Sequence, residues 1–376
     1  MTPPPASAAS PATPEGFAEL RAQIPVLART AYLNAGTFGP LHQATVAAQQ
    51  EVQARELHEG RSSAAMWQDM AAVRSRLRTG IGAVMGVPAE HLALTTSTGQ
   101  GCNIVFAGLG LQPEDEVVTS DLEHFGMVGP LHAARVRVTV VPLADKPAAD
   151  AFELLRAAVT PRTKLLALSH VAWSTGQVLP LPELREATGI PILVDGAQSA
   201  GAIDIAGSAA GLDFYTASAQ KWLCGPDQLG ALYVRDPERL RVALPSYMSK
   251  VTYEPDGTFV PQAGAARFEQ ASGPLSGLAG LDVALGTHPA WRYSRALEMA
   301  ARCRDLLLAA GENVVTEPGQ GTLVTWVARG DSAALVERAH AQGVVIRDLP
   351  GTGWARASCG WWTSEDDLQR LVAAIA

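Results

Sequence analysis

The chain has 376 residues, 47% apolar and 18% charged, with 29 Lys plus Arg against 37 Asp plus Glu for a net charge of -8. A chain of this length is expected to form about two domains and to hide enough apolar surface to need no metal or disulfide staple. The acidic balance gives no attraction to phosphate backbones or anionic membranes, which argues against nucleic-acid and membrane partners. No apolar run approaches the ~20 residues of a membrane helix. The first residues, Met1-Thr2-Pro3-Pro4-Pro5, lack the basic and apolar regions of a signal peptide. Cys102, Cys224, Cys303 and Cys359 match no zinc-type or CxxC spacing and read as reduced thiols of a cytoplasmic protein.

Residues 1–16, rich in Pro, Ala, Ser and Thr, read as a disordered tail. Met66, Met70, Val73, Leu77, Ile81 and Val84 fall at steps of three and four, a helical core stripe stopped by Gly86 and Pro88. Seven short apolar runs follow, at 92–96, 117–120, 136–141, 165–170, 192–195, 214–218 and 231–234, with helical segments such as 152–159 and 181–187 between them. Strands alternating with helices predict an α/β fold with a mostly parallel seven-stranded sheet covered on both faces. Beyond about residue 285 the pattern changes to a helix over 294–310, strands at 314–316 and 322–327, and a helix over 332–342. Strands at 344–347 and 355–358 and a helix opened by Ser364 complete a smaller α+β unit. The expected organisation is a tail over 1–16, a large domain over 17–284 whose first residues can pack on the small one, and a small C-terminal domain over 285–376.

In a parallel sheet, ligands sit beyond the carboxyl ends of the strands. The first run leads into Ser97-Thr98-Gly99-Gln100, where small hydroxyl residues and a glycine at a helix start suit an anion, although an ordinary helix cap has the same composition. The second leads to Asp121-Leu122-Glu123-His124, where His124 is either a stacking ring or a plain loop residue. Asp195 ends a buried run and needs a partner, either a cationic ring nitrogen or a helix N-terminus. Lys221, in Ser218-Ala219-Gln220-Lys221-Trp222, is either an amine nucleophile or a surface lysine. Together the four are the parts needed to bind pyridoxal 5'-phosphate: donors for the phosphate, a ring to stack, a carboxylate for the pyridinium and an amine for the aldehyde.

These segments, with Arg267-Phe268-Glu269, resemble the class V aminotransferase-like enzymes, the cysteine desulfurase group included, from about Tyr32 to the C-terminus. The resemblance implies a fold type I pyridoxal-phosphate enzyme in which Lys221 carries the cofactor, Asp195 pairs with the ring nitrogen, Gln198 bonds the ring hydroxyl and His124 stacks on the ring. It assigns Thr98, Gly99, Ser218 and Gln220 to the phosphate, with Gln220 standing where the family usually has His. Ser272 matches a residue that reaches the neighbouring subunit's phosphate, which implies a homodimer with shared active sites. Arg356 matches the arginine that clamps a substrate α-carboxylate.

Cofactor and fold leave the reaction open. Desulfurases of this group carry a nucleophilic Cys on the loop before this arginine, but Arg347-Asp348-Leu349-Pro350-Gly351-Thr352-Gly353 has none. Thr98 to Val105 and Ser169 to Pro180, with Trp173 where desulfurases usually have Asn, resemble the cystine C–S lyase branch. In that branch Arg347 would meet a distal carboxylate. Cys359, in or just after the strand that carries Arg356, reads as structural. The expected activity is β-elimination at a C–S bond of a cystine- or cysteine-like amino acid, giving pyruvate, ammonia and a persulfide or sulfide. The alternatives are a class V aminotransferase or amino-acid epimerase on the same cofactor, and a non-enzymatic pyridoxal-phosphate-binding regulator. A nicotinamide enzyme fails because no GxGxxG follows an early strand.

Overall fold

The computed structural model describes residues 11–270 and 273–376. Ser272 and the first ten residues of the expected tail therefore lie outside the described residues. The chain divides into two units, one comprising the residues up to Gly36 with Ser174–Gln177 and Pro289–Ala376, the other Thr37–Trp173 and Val178–His288. Among the described residues no helix is long and apolar enough to cross a membrane.

The chain enters through the smaller unit, with α1 (Phe17–Ala22) and the short β1 (Ala31–Tyr32). It then runs through the larger unit, opening with α2 (Gln43–Glu59) and α3 (Ala64–Met85). Ser63 Oγ accepts from Met66 N (3.2 Å) to start α3, and Gly86, in a left-handed conformation at φ 66°, stops it. Met70, Val73, Leu77, Ile81 and Met85 are its buried stripe; Met66 and Val84 are only half-buried, although both were expected in that stripe. The difference at the C-terminal end is one of phase, since steps of four carry the stripe from Ile81 to Met85.

The central sheet has seven strands: β2 (Leu92–Thr95), β3 (Glu116–Ser120), β4 (Arg137–Val141), β5 (Thr163–Ser169), β6 (Ile192–Asp195), β7 (Phe214–Ser218) and β8 (Gly230–Val234). Between them lie α4 (Thr98–Leu109), α5 (Phe125–Ala133), α6 (Ala151–Ala157), α7 (Leu181–Thr188) and α8 (Ala206–Ala209). The order is β2-β8-β7-β6-β5-β3-β4, parallel throughout except that β8 runs antiparallel to both neighbours. Two reversals cancel, so β2 points the same way as β7 and the carboxyl ends of β2, β3, β5, β6 and β7 share one edge. Every residue of β2, β3, β6, β7 and β8 is buried, as expected of a sheet covered on both faces, whereas β4 is an exposed edge. A hairpin of β9 (Lys250–Tyr253) and β10 (Phe259–Pro261) and the helix α9 (Leu275–Gly286), packed on α2 and α3, finish this unit.

The smaller unit continues with α10 (Arg292–Ala309), β11 (Asn313–Val314), β12 (Leu323–Val327), α11 (Ser332–Ala341), β13 (Val344–Val345), β14 (Arg347–Leu349), β15 (Trp354–Ser358) and α12 (Glu365–Ile375). Its antiparallel sheet has the order β11-β12-β15-β14, and β1 pairs in parallel with β13. The single strand expected over 344–347 is thus two strands with different partners. The core joins Met299, Cys303, Trp326, Leu335, Leu368 and Leu371. Ser364 and Asp367 form a capping box that starts α12, and Arg21 pairs with Asp367 at 2.8 Å. At the tail, Ala12 O accepts from Arg295 Nη1 (3.2 Å).

Candidate active site

The shared edge of the large sheet carries a small cavity lined by His124, Ser169, Val171, Trp173, Asp195, Ala197, Gln198 and Lys221. Four residues marked in the sequence, His124, Asp195, Gln198 and Lys221, therefore meet although as many as 97 positions separate them along the chain. Lys221 lies three residues beyond β7 in a tight turn, in which Cys224 N donates to Lys221 O (3.1 Å) and Cys224 adopts φ 50°. Gly39 crosses this turn so closely that a Cβ there would lie 2.0 Å from Lys221 O, and its N–H donates to Gln220 O (2.7 Å). Only glycine allows that approach.

Asp195, the buried last residue of β6, accepts from Ala197 N at Oδ1 (2.9 Å), which fixes the carboxylate over the turn after the strand. Gln198 Oε1 accepts from Trp222 Nε1 (2.9 Å), so the amide turns its NH2 the other way, as a donor. His124 caps α5, its Nδ1 accepting from Gly126 N (3.1 Å), and its ring meets Trp173 edge-on at 5.3 Å. Behind the edge, Tyr215 OH is hydrogen-bonded to His170 Nδ1 (2.8 Å) and Ser199 Oγ (2.5 Å). Burial pushes the His170 pKa down to about 4, so this network is neutral.

Thr98, Gly99, Ser218 and Gln220 do not line this cavity. Thr98 and Gly99 open α4, where Ser97 Oγ accepts from Gln100 N (3.1 Å). Gly230 of β8 pairs with Thr95 on one side and Ser218 on the other, so a single glycine separates that turn from the end of β7. Gln220 Oε1 is buried with no hydrogen-bond partner. Gln100 Nε2 donates to Gln270 Oε1 (2.8 Å), tying the α4 turn to the residue two places before Ser272. Glu269, bound by Arg74, by Arg78 (2.7 Å) and by Leu94 N (2.9 Å), anchors that segment. In the smaller unit Arg356 and Arg347 are opposed across β15 and β14.

Ser169, Trp173 and Ala197 also line the cavity, although the residues themselves marked no role for them. Ser169 and Ala197 follow the strand-end rule that found Asp195 and could have been named with it.

The arrangement suits an aromatic aldehyde with a cationic ring nitrogen and an anionic arm. An amine, a carboxylate, an amide donor and a flat imidazole converge at the cavity, and Ser218 lies across one glycine from the turn that opens α4. Comparisons with known proteins agree. The family described as aminotransferase class-V matches residues 32–316. Isopenicillin N epimerase of Streptomyces clavuligerus is 30% identical over 331 residues, covering 79% of this chain and 82% of that protein. The cysteine desulfurase CsdA of Escherichia coli K12 is 28% identical, covering 95% of this chain and 96% of that protein. A structure of the cystine C–S lyase C-DES with its reaction product, cysteine persulfide, superposes with a TM-score of 0.87 at 27% identity, covering 94% of this chain and 99% of that one. Another C-DES structure, with glycine covalently linked to its pyridoxal-phosphate cofactor, gives 0.88 at 27% identity over 96% of this chain and 99% of that one. Fold and site define a pyridoxal-phosphate-dependent enzyme. The chain belongs to the aminotransferase class-V family.

Proposed function

We propose that the chain is a carbon–sulfur lyase that eliminates the β-substituent of a cystine-like amino acid, releasing a persulfide and leaving pyruvate and ammonia. The observation that carries this reading is the state of its thiols: all four cysteines are free and buried. Burial raises the pKa of Cys102 and Cys224, and that of Cys359 is raised by its contact with Cys303 and by burial. A desulfurase needs an accessible thiolate to attack the substrate sulfur, and the loop at 348–353 has no cysteine. Sulfur must then leave with its own electrons, and a persulfide leaves more readily than an alkyl thiolate because its conjugate acid is stronger.

When bound, pyridoxal phosphate supplies an electron sink for charge developing at the substrate α-carbon. Lys221 would hold the cofactor, and its Nζ would serve as general base for the substrate α-proton. Asp195 would keep the ring nitrogen protonated, Gln198 would donate to the ring hydroxyl and His124 would cover the ring face. Thr98, Gly99, Ser218 and Gln220 would hold the phosphate, with Ser272 serving the partner's phosphate in a homodimer. Arg356 would bind the α-carboxylate and Arg347 a distal one; a planar guanidinium suits such bidentate contacts. Reduced thiols suit a cytoplasmic setting.

Incubation with L-cystine is expected to yield pyruvate stoichiometrically with ammonia, and borohydride to fix the cofactor on Lys221. Absence of pyruvate while another amino acid is turned over would overturn the lyase assignment. The epimerase relatives favour a second reading, in which the product is the opposite enantiomer of the substrate and no pyruvate appears.

A further inference from the structure

Two carboxylates stand at the ends of β3 and β6, the two strands that flank β5 in the large sheet, and Asp195 is only one of them. Glu123, three residues beyond the end of β3, accepts from Ser120 Oγ at Oε1 (2.8 Å) and from Ser169 N (2.9 Å) and Ser169 Oγ (2.6 Å) at Oε2. Ser120 is the last residue of β3 and Ser169 the last of β5, so one side chain ties two adjacent strands together. Ser169 pairs in register with Asp195 on β6 and lines the cavity with it. The residue after Glu123 is His124, so the same tie sets where the stacking ring leaves the sheet.

Two of the three groups that hold Glu123 are hydroxyls, which donate or accept as required. Ser120 Oγ can donate to a carboxylate or accept from a carboxylic acid, so the hydrogen bonds survive gain or loss of a proton. Desolvation at the strand ends pushes the Glu123 pKa up to about 7, helped by the Asp195 charge and opposed by the hydrogen bonds from Ser169 and Ser120. The other titratable groups around it are Cys102 on α4, whose buried thiol feels both carboxylates and stays protonated, and neutral His170 beside Ser169. His124 and Lys221 line the cavity with Asp195.

We propose that Glu123 is a positioning residue that ties β3 to β5 beneath the cavity and, by gaining or losing a proton, sets how much negative charge faces the ring nitrogen of the cofactor. Neutral Glu123 leaves that charge to Asp195 alone; ionised Glu123 adds to it and strengthens the hold on a cationic ring. The inference rests on the cofactor site proposed above and adds a residue to it.

The test compares wild type, E123Q and E123A by the pH dependence of pyridoxal 5'-phosphate affinity between pH 5.5 and 8.5, followed by tryptophan fluorescence and cofactor absorbance. Gln preserves the hydrogen bonds, because its oxygen accepts from Ser169 and its NH2 donates to Ser120 Oγ, but it cannot ionise. Wild type is expected to bind several-fold more tightly above pH 7 than below, relative to E123Q. E123A is expected to bind roughly ten-fold more weakly at every pH, with E123Q restoring the affinity seen in wild type at low pH. In the apoprotein the raised pKa stabilises the fold below the unfolded value of 4.5, and this is lost as pH rises through about 7. The wild-type-minus-E123Q difference in unfolding free energy should fall across that window. An E123Q profile with the wild-type inflection, or E123A binding like wild type, overturns the inference while leaving the cofactor assignment intact. Wild-type protein that takes up no cofactor overturns both.

Discussion

Arg347 and Arg356 stand directly opposite each other on the antiparallel strands β14 and β15. Opposed residues share a face of the sheet, and like charges there repel by about 0.2–1 kcal/mol. Arg356 is 1% exposed. Burial first, and then the Arg347 charge, pull its pKa well below the usual guanidinium range. A pair arranged this way is relieved by an anion, and a diacid relieves it twice.

Arg356→Lys keeps a positive charge but loses the planar fork. With hydrogen bonds to charged groups worth about 1.5–3 kcal/mol, KM for an amino-acid substrate should rise roughly 10–100-fold with kcat changed far less. Arg347→Met should raise the melting temperature of the ligand-free protein slightly and abolish any preference for a dicarboxylic over a monocarboxylic substrate. Steady-state kinetics and thermal unfolding check both.

Gly36 has a close neighbour in the same guanidinium. A Cβ at this position would lie 2.6 Å from Arg356 Nη2 and 3.0 Å from Ser358 Oγ. Gly36→Ala should therefore displace the arginine and raise KM while leaving cofactor absorbance unchanged.

Burial of His170 gives a pH dependence with a definite sign. Its folded pKa of about 4 lies below the unfolded 6.5, so its contribution is complete above pH 6.5 and is lost as pH falls toward 4. At 1.36 kcal/mol per pKa unit the loss amounts to about 3 kcal/mol. Denaturant unfolding of wild type and His170→Gln between pH 4 and 7 should show a shallower slope in the variant. Tyr215→Phe, which leaves His170 Nδ1 and Ser199 Oγ without their shared partner, should cost about 1–3 kcal/mol at neutral pH.

If sulfur leaves without an enzyme thiol, alkylating agents should label the native protein slowly and leave cystine turnover intact. Each single Cys→Ala variant at 102, 224, 303 and 359 that folds should retain pyruvate production. Loss of turnover in a folded variant would return the desulfurase reading.

Asp195→Asn preserves the acceptor that caps Ala197 N but removes the charge. The cofactor should still bind, and kcat/KM should fall by about 10²-fold or more, because a neutral partner no longer keeps the ring nitrogen protonated. Absorbance spectra and kinetics on the same preparation separate the two effects.

The seven strands of the large sheet were legible because each is a short apolar run with a turn signal beyond it, and burial on both faces demands that pattern whatever the order of the strands. That Asp195 and Lys221 line one cavity was legible for a related reason: a charged residue at or just after such a run sits at the carboxyl edge of a parallel sheet. Glu123 sat inside a quoted motif without a role, because its partners Ser120 and Ser169 belong to different strands and nothing local ties them.

The sequence by itself determined the class of fold and the chemical parts at the strand ends, since both follow from the order of apolar and polar residues along short stretches. Only the tertiary structure decided which parts meet. The reversed β8 brings β2 to the same edge as β7, the run at 344–347 divides between β1 and β15, and two arginines nine positions apart become cross-strand neighbours. Each depends on which strand pairs with which, a choice made by packing between distant segments, and local residue patterns carry no record of it.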